Sequence, residues 1–257
     1  MQRQLIVLVI ALVSGPAGIL ASSKQTVQIH TAKFKKALPG CDARPVSRCA
    51  KVSLEYPVVS EASSREAQQQ LNHELENILL TPLEKGKPPG TAEEFATQIL
   101  NHYEKWTEQG GNPHTSWSVE RIIQVNDQSQ NVFGVRLLER IEQGSQRAAK
   151  NTVYFNFHSQ TGKLIQLSDL VNESHMDKLI SIAERHFERN LFKPAQGEDN
   201  RAPGQEFVLP KNFAIERDGL RFRYEEDQID PHSIAVPEFI VPCPEIKELL
   251  RPDANIP

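Results

Sequence analysis

The feature that most constrains the fold is a run of strand-like segments between residues 117 and 167. Apolar and polar residues alternate within each segment, as they do in strands that bury one face. The predicted strands cover residues 117–125, 132–141, 152–157 and 163–167. Short polar loops such as Gln143-Gly144-Ser145 separate them, and loops of this length join antiparallel neighbours. This part of the chain therefore predicts an antiparallel meander.

The flanking segments add helices and further strands. Strands are predicted at 25–38, 49–59, 213–217, 220–224 and 236–241, and helices at 60–83, 91–109, 174–191 and 245–250. Pro237 and Pro242 predict that the last strand is an edge strand or a strand with a bulge, because proline cannot donate to a β-ladder. The order predicts an α+β fold, with antiparallel sheets and helices packed on one face. We expect two parts, 24–112 and 113–257, after a signal peptide at 1–23.

The N-terminus has the layout of an export signal. Arg3 precedes an unbroken apolar run at 5–13, and small residues follow near a predicted cleavage site after Ser23, with Ala21 as the alternative. The run is too short to span a membrane, and no later run approaches that length. The net charge of −4 is mild and no basic block occurs, so nothing indicates a nucleic-acid partner. We expect a periplasmic or secreted protein without a stable membrane span after signal cleavage.

Three cysteines remain in the chain. Cys41 and Cys49 are close in sequence, and an oxidising compartment favours their pairing. Connectivity does not follow from sequence alone, so Cys243 either stays free and buried or pairs with one of the other two. We predict the Cys41–Cys49 disulfide.

The sequence carries no recognisable catalytic or metal-binding motif. The eight histidines are scattered over different predicted elements, and no ligand set for zinc is complete. Asp169 follows a predicted strand, where it either satisfies backbone amides in a turn or acts as a general base. The turn is the better interpretation. We therefore predict no catalytic residues, no metal and no cofactor, and a binding protein is favoured over an enzyme.

Two blocks resemble a known family. The first is Thr161-Gly162-Lys163-Leu164-Ile165-Gln166-Leu167-Ser168-Asp169-Leu170, and the second runs from Asp218 through Ile229-Asp230-Pro231 to Val241-Pro242. Together they resemble the C-terminal domain of RsiV-type anti-sigma factors, which also precedes the catalytic domain of PdaC-type deacetylases. The resemblance covers about residues 115–250. It implies an α+β module at the cell envelope, and the deacetylase motifs themselves are absent.

The resemblance implies a non-catalytic binding protein, with a lysozyme-like protein or peptidoglycan glycan as its partner. The candidate binding residues are Tyr224, Glu226, Pro231, His232 and Phe239. Aromatic and proline side chains present rigid contact area at little entropic cost. We therefore predict that residues 225–237, called the recognition segment below, form part of the partner interface. The alternative is a cell-wall hydrolase acting on glycan or peptide, which a histidine–acid pair or two carboxyls in a cleft would favour.

Overall fold

The computed structural model describes residues 27–41, 49–83, 87–112, 115–144, 148–191, 207–225, 236–252 and 254. The signal peptide predicted at 1–23 lies outside these residues. The strands are β1 (Gln28–Ala37), β2 (Ala50–Glu61), β3 (Trp117–Gln128), β4 (Val132–Gln143), β5 (Ala149–His158), β6 (Asn212–Glu216), β7 (Gly219–Arg223) and β8 (Glu238–Pro242). The helices are α1 (Arg65–Leu79), α2 (Ala92–Glu108), α3 (Leu167–Leu170), α4 (Met176–Leu191) and α5 (Cys243–Ile246), with 3₁₀ turns at Glu173–His175 and Lys247–Leu249.

The strands form two sheets, in the orders β1-β2-β3-β4-β5 and β6-β7-β8. The predicted α+β class is confirmed, and β3 to β5 form the predicted meander. The larger sheet is mixed rather than wholly antiparallel, since β2 pairs parallel with β3 from Ala50–Trp117 to Glu55–Ile122. The two helices between these strands supply the long crossover that a parallel pair requires. The division predicted at residue 113 therefore separates two strands that are neighbours in one sheet.

The helices α1 and α2 each begin after a residue whose side chain caps the helix, and α2 begins where the sequence predicts. Ser64 and Thr91 accept hydrogen bonds from the backbone N–H groups of Ala67 and Glu94. Both helices pack on β2 and bury an apolar face in the first core, which includes Leu71, Leu75, Phe95, Leu54 and Phe133. The predicted helix at 60–83 is shorter in the structure, because β2 continues to Glu61 before the cap.

The strand predicted at 163–167 does not form. Only two backbone hydrogen bonds join this segment to β5, from His158 N to Lys163 O and from Ile165 N to Asn156 O. Ile165 is buried in the second core, and the chain then enters α3 at Leu167. The turn before it requires Gly162, whose φ is 72° and whose added Cβ would lie 2.8 Å from Gln70 Cβ of α1.

The smaller sheet and α4 enclose the second core. Its buried members include Leu179, Phe187, Ile215, Phe222, Phe239 and Val241. The strands predicted at 213–217 and 220–224 form the antiparallel pair β6–β7, and β8 lies at the edge of the sheet. The predicted disulfide between Cys41 and Cys49 is confirmed, and Cys243 is free and half-buried at the start of α5. No helix in the described part of the chain is long and apolar enough to cross a membrane.

Candidate functional site

The two ends of the recognition segment are held together at one end of the smaller sheet. The backbone N–H of Tyr224 donates to the carbonyl oxygen of Pro237 at 3.2 Å. The Tyr224 hydroxyl donates to the carbonyl oxygen of Val208 at 3.0 Å, which ties the same point to the chain before β6. Tyr224 and Pro237, on either side of this stretch of 12 residues, thus form one fixed base. Binding loops commonly have closely spaced ends that are held by a rigid scaffold.

A network of charges reinforces this base. Arg221 on β7 donates to Glu216 on β6 at 2.8 and 2.7 Å, and to Glu238 on β8 at 2.7 Å. Arg223 and Tyr154 also donate to Glu238, at 3.1 and 3.2 Å. One guanidinium therefore crosslinks all three strands, and Glu238 stands next to Pro237, where the segment returns.

The network perturbs the pKa values of its members. Burial acts to raise the pKa of Glu216, but hydrogen bonds from Arg221 and Asn126 outweigh it and the pKa lies below its usual range. The hydrogen bond to Glu216 raises the pKa of Arg221. Burial, followed by the charge of Glu238, raises the pKa of Tyr154. At neutral pH Glu216 is therefore ionised, Arg221 is charged and Tyr154 is neutral.

The structure describes two of the five predicted binding residues. Tyr224 and Phe239 are both buried in the second core, where their rings lie 5.2 and 5.7 Å from the ring of Phe187. Glu226, Pro231 and His232 lie outside the described residues. Tyr224 and Phe239 therefore anchor the ends of the recognition segment through their side chains.

The smaller sheet is fixed to the larger one by two buried asparagines that the sequence analysis missed. Asn156 on β5 donates to Phe213 O at 2.9 Å and accepts from Ile215 N at 2.8 Å. Asn212 on β6 accepts from Tyr154 N at 2.8 Å and donates to Thr152 O at 2.7 Å. Their amides replace a backbone ladder between β5 and β6. The available signal was Asn156 itself, an amide within the otherwise apolar and aromatic run at 153–157.

The other candidates for chemistry have structural partners. Asp169 accepts a hydrogen bond from Gln166 N at 2.8 Å and caps α3, in agreement with the turn interpretation. His186 Nε2 on α4 lies 3.0 Å from Glu245 Oε1 on α5, and this hydrogen bond lowers the pKa of Glu245. Among the described residues, no group of three or more His, Cys, Asp or Glu side chains is placed to bind a metal.

The comparisons with known proteins agree with the fold. Residues 168–243 match the model of a family described as "Protein of unknown function (DUF3298)". Over these residues the chain is similar to a DUF3298 domain. It corresponds to the RsiV/PdaC-like C-terminal family that the sequence resembles, so the predicted family is confirmed over these residues. No curated protein matches the chain.

Two solved structures extend the likeness to almost the whole chain. A DUF3298 family protein from Pseudomonas aeruginosa PAO1 has a TM-score of 0.69 and 17% identity, and covers 90% of this chain and 97% of its own. A DUF3298 family member from Bacteroides fragilis NCTC 9343 has a TM-score of 0.67 and 14% identity, with 88% and 95% covered. At these identities the likeness concerns the fold, including the larger sheet that precedes the DUF3298 domain.

Proposed function

We propose that this protein is an exported, non-catalytic binding protein of the cell envelope that recognises its partner through residues 225–237. The partner is a lysozyme-like protein or the glycan of peptidoglycan. The observation that carries the proposal is the closed base of the recognition segment, formed by the Tyr224–Pro237 hydrogen bond. A base fixed in advance reduces the entropy lost when a loop is ordered by a partner.

Charge and compartment support the same function. The ion pairs of Arg221 and Arg223 with Glu238 fix the strands on both sides of the segment. The Cys41–Cys49 disulfide is consistent with an extracytoplasmic location, because disulfides persist in oxidising compartments. Export itself is tested by the intact mass of protein recovered from the periplasm. A chain beginning near Lys24 supports it, and a full-length species retained in the membrane contradicts it.

The binding proposal is tested with immobilised mature protein. Hen lysozyme and purified peptidoglycan are applied separately to the unchanged protein and to the double variant Glu226→Ala/His232→Ala. We expect the unchanged protein to retain one of the two partners and the double variant to retain much less of it, with a nearly unchanged melting midpoint. The matched control is His73→Ala/Glu76→Ala, which removes the same two side-chain types from the exposed face of α1.

Each outcome of this experiment bears on the proposal. Full binding by the segment variant, or binding of neither partner by the unchanged protein, contradicts it. Equal loss in the α1 control also contradicts it, because the effect would then follow net charge and not position. If the segment variant unfolds, residues 225–237 close the sheet and are not a recognition site.

A cell-wall hydrolase is the second candidate, and the His186–Glu245 pair is the observation that favours it. An ionised glutamate that accepts from a histidine fixes the orientation of the imidazole, as in many catalytic pairs. The release of soluble fragments from purified peptidoglycan tests this function. Release that disappears in His186→Ala would establish the hydrolase, and no release by the unchanged protein would leave the pair as a link between α4 and α5.

A further inference from the structure

A second candidate site lies on the larger sheet, outside the DUF3298 domain. A cleft of about 490 Å³ opens between α2, the segment after α1 and the first residue of β3, and we call it the α2 cleft. Phe95, Ile99 and Leu83 provide apolar lining. The volume lies within the range of small-molecule sites, which hold roughly 300–1,000 Å³.

Trp117 lines this cleft and carries an unsatisfied donor. Its side chain is buried, with 6% of the residue exposed, and Nε1 has no hydrogen-bond partner in the described structure. The indole ring packs against Tyr103 and Trp106, with centroids 5.5 and 5.4 Å apart, so the aromatic cluster fixes the direction of its N–H. A buried N–H without an acceptor is unfavourable, and a ligand oxygen would supply the missing acceptor.

The charged residues of the described lining are basic, and Gln98, Asn101 and Gln143 are its neutral polar residues. Lys87, before α2, and Lys105, on α2, both line the cleft, and neither has an ion-pair partner among the described residues. His102 on α2 also lines the cleft, with its ring centroid 5.2 Å from that of Trp117. No aspartate or glutamate is found among the described lining residues, although the chain has a net charge of −4. The cleft is therefore rich in donors and positive charge within an acidic protein.

We propose that the α2 cleft binds a small organic carboxylate. The apolar body of the ligand packs on Phe95, Ile99 and Leu83, and its carboxylate accepts from Trp117 Nε1–H while Lys87 and Lys105 supply the opposite charge. The N–H is closed to solvent, so binding requires an exposed rim side chain such as Gln143 to move aside. The site lies on different elements from the recognition segment and does not depend on the function proposed for that segment.

The two tryptophans of the chain make a direct test available. Each indole N–H gives one peak in a ¹H–¹⁵N correlation spectrum, and Trp106→Phe assigns the remaining peak to Trp117. The probes are hexanoate against hexanamide, and N-acetylmuramic acid against N-acetylglucosamine. We expect the Trp117 peak to move in a saturable way with one acid and not with its neutral counterpart. The acid that binds more tightly shows whether the carboxylate comes from an aliphatic chain or a sugar.

Variants of the rim test the role of charge. Lys87→Ala/Lys105→Ala should weaken binding of the acid about tenfold, as expected for the loss of two exposed charge contacts. The control Lys150→Ala/Lys178→Ala removes the same charge from β5 and α4 and should bind the acid unchanged.

Three results would overturn the proposal. The first is no saturable movement of the Trp117 peak with either acid at concentrations up to about 10 mM, which would detect binding near the millimolar level. The second is equal movement with an acid and its neutral counterpart, which would exclude recognition of the carboxylate. The third is unchanged affinity in the Lys87/Lys105 variant, or an equal loss in the control.

Discussion

Replacing Arg121 with methionine should strongly destabilise the fold. Arg121 lies on β3, is 2% exposed, and donates to Glu139 Oε2 at 2.6 Å. It also donates to the carbonyl oxygens of Leu79 and Thr81, both at 2.7 Å, at the C-terminal end of α1. Its guanidinium carbon lies 4.6 Å from the ring centroid of Phe95 on α2. One side chain therefore joins the sheet to both helices.

The size of the destabilisation follows from the three acceptors that lose their hydrogen-bond donor in Arg121→Met. Hydrogen bonds to a charged group contribute about 1.5–3 kcal/mol each, and breaking a buried ion pair costs about 3–5 kcal/mol. The Glu139 side chain is 16% exposed and regains some hydration, which places the expected loss near 3–4 kcal/mol. A typical domain has only about 5–15 kcal/mol of stability, so the variant should fold with a much smaller margin.

Urea unfolding of the mature protein is the assay. With a slope of about 1–3 kcal/mol per molar, the midpoint should fall by more than about 1 M. The urea midpoint of Arg121→Lys should lie between those of the unchanged protein and Arg121→Met. A lysine ammonium keeps the charge, but it lacks the planar set of N–H donors of a guanidinium. Arg136→Met is the control. Arg136 donates hydrogen bonds to Gln124 on the exposed side of the sheet, so its replacement should lower the free energy of unfolding by less than about 1 kcal/mol.

A double variant tests the reasoning. Arg121→Met/Glu139→Leu should be more stable than Arg121→Met alone, because the second change removes the unpaired carboxylate. A loss below about 1 kcal/mol for the single variant would refute the argument. Purely additive losses in the double variant would also refute it, because they would show that the two charges do not interact.

Three further predictions concern the rest of the molecule. Cys41→Ala/Cys49→Ala should lower the free energy of unfolding by about 2–3 kcal/mol on the chain-entropy model, measured by urea unfolding under oxidising conditions. Asn156→Leu should lower the free energy of unfolding by about 2–4 kcal/mol, because Phe213 O and Ile215 N lose their buried partner. The rate of amide hydrogen exchange in this variant should rise first in β6. Glu216 has a lowered pKa in the folded state, so its contribution is present above the ordinary carboxyl pKa and is lost as pH falls through the folded value. The stability difference from Glu216→Gln should therefore shrink on acidification below about pH 5, and a constant difference would contradict this assignment.

Short-range patterns determined much of this protein. Alternation and short polar loops specified β3, β4 and β5, because the period of a strand and the length of a hairpin loop are local properties. The start of the helix predicted at 91–109 is local as well, because Thr91 is followed three residues later by Glu94, the pattern of a capping box, and α2 begins there. The separation of eight residues between Cys41 and Cys49 was short enough for pairing to follow from proximity. The family resemblance was carried by two blocks that lie in or beside the DUF3298 domain.

Tertiary structure decided whatever depends on partners distant in sequence. The parallel pairing of β2 with β3 requires the crossover through α1 and α2, which no local pattern encodes. The segment 163–167 alternates like a strand, but the middle of β5 is occupied by β6 through Asn156 and Asn212, which are 56 positions apart in sequence. The burial of Tyr224 and Phe239, the three acceptors of Arg121 and the unsatisfied N–H of Trp117 arise in the same way. Each depends on where another element packs, and packing is a property of the whole chain.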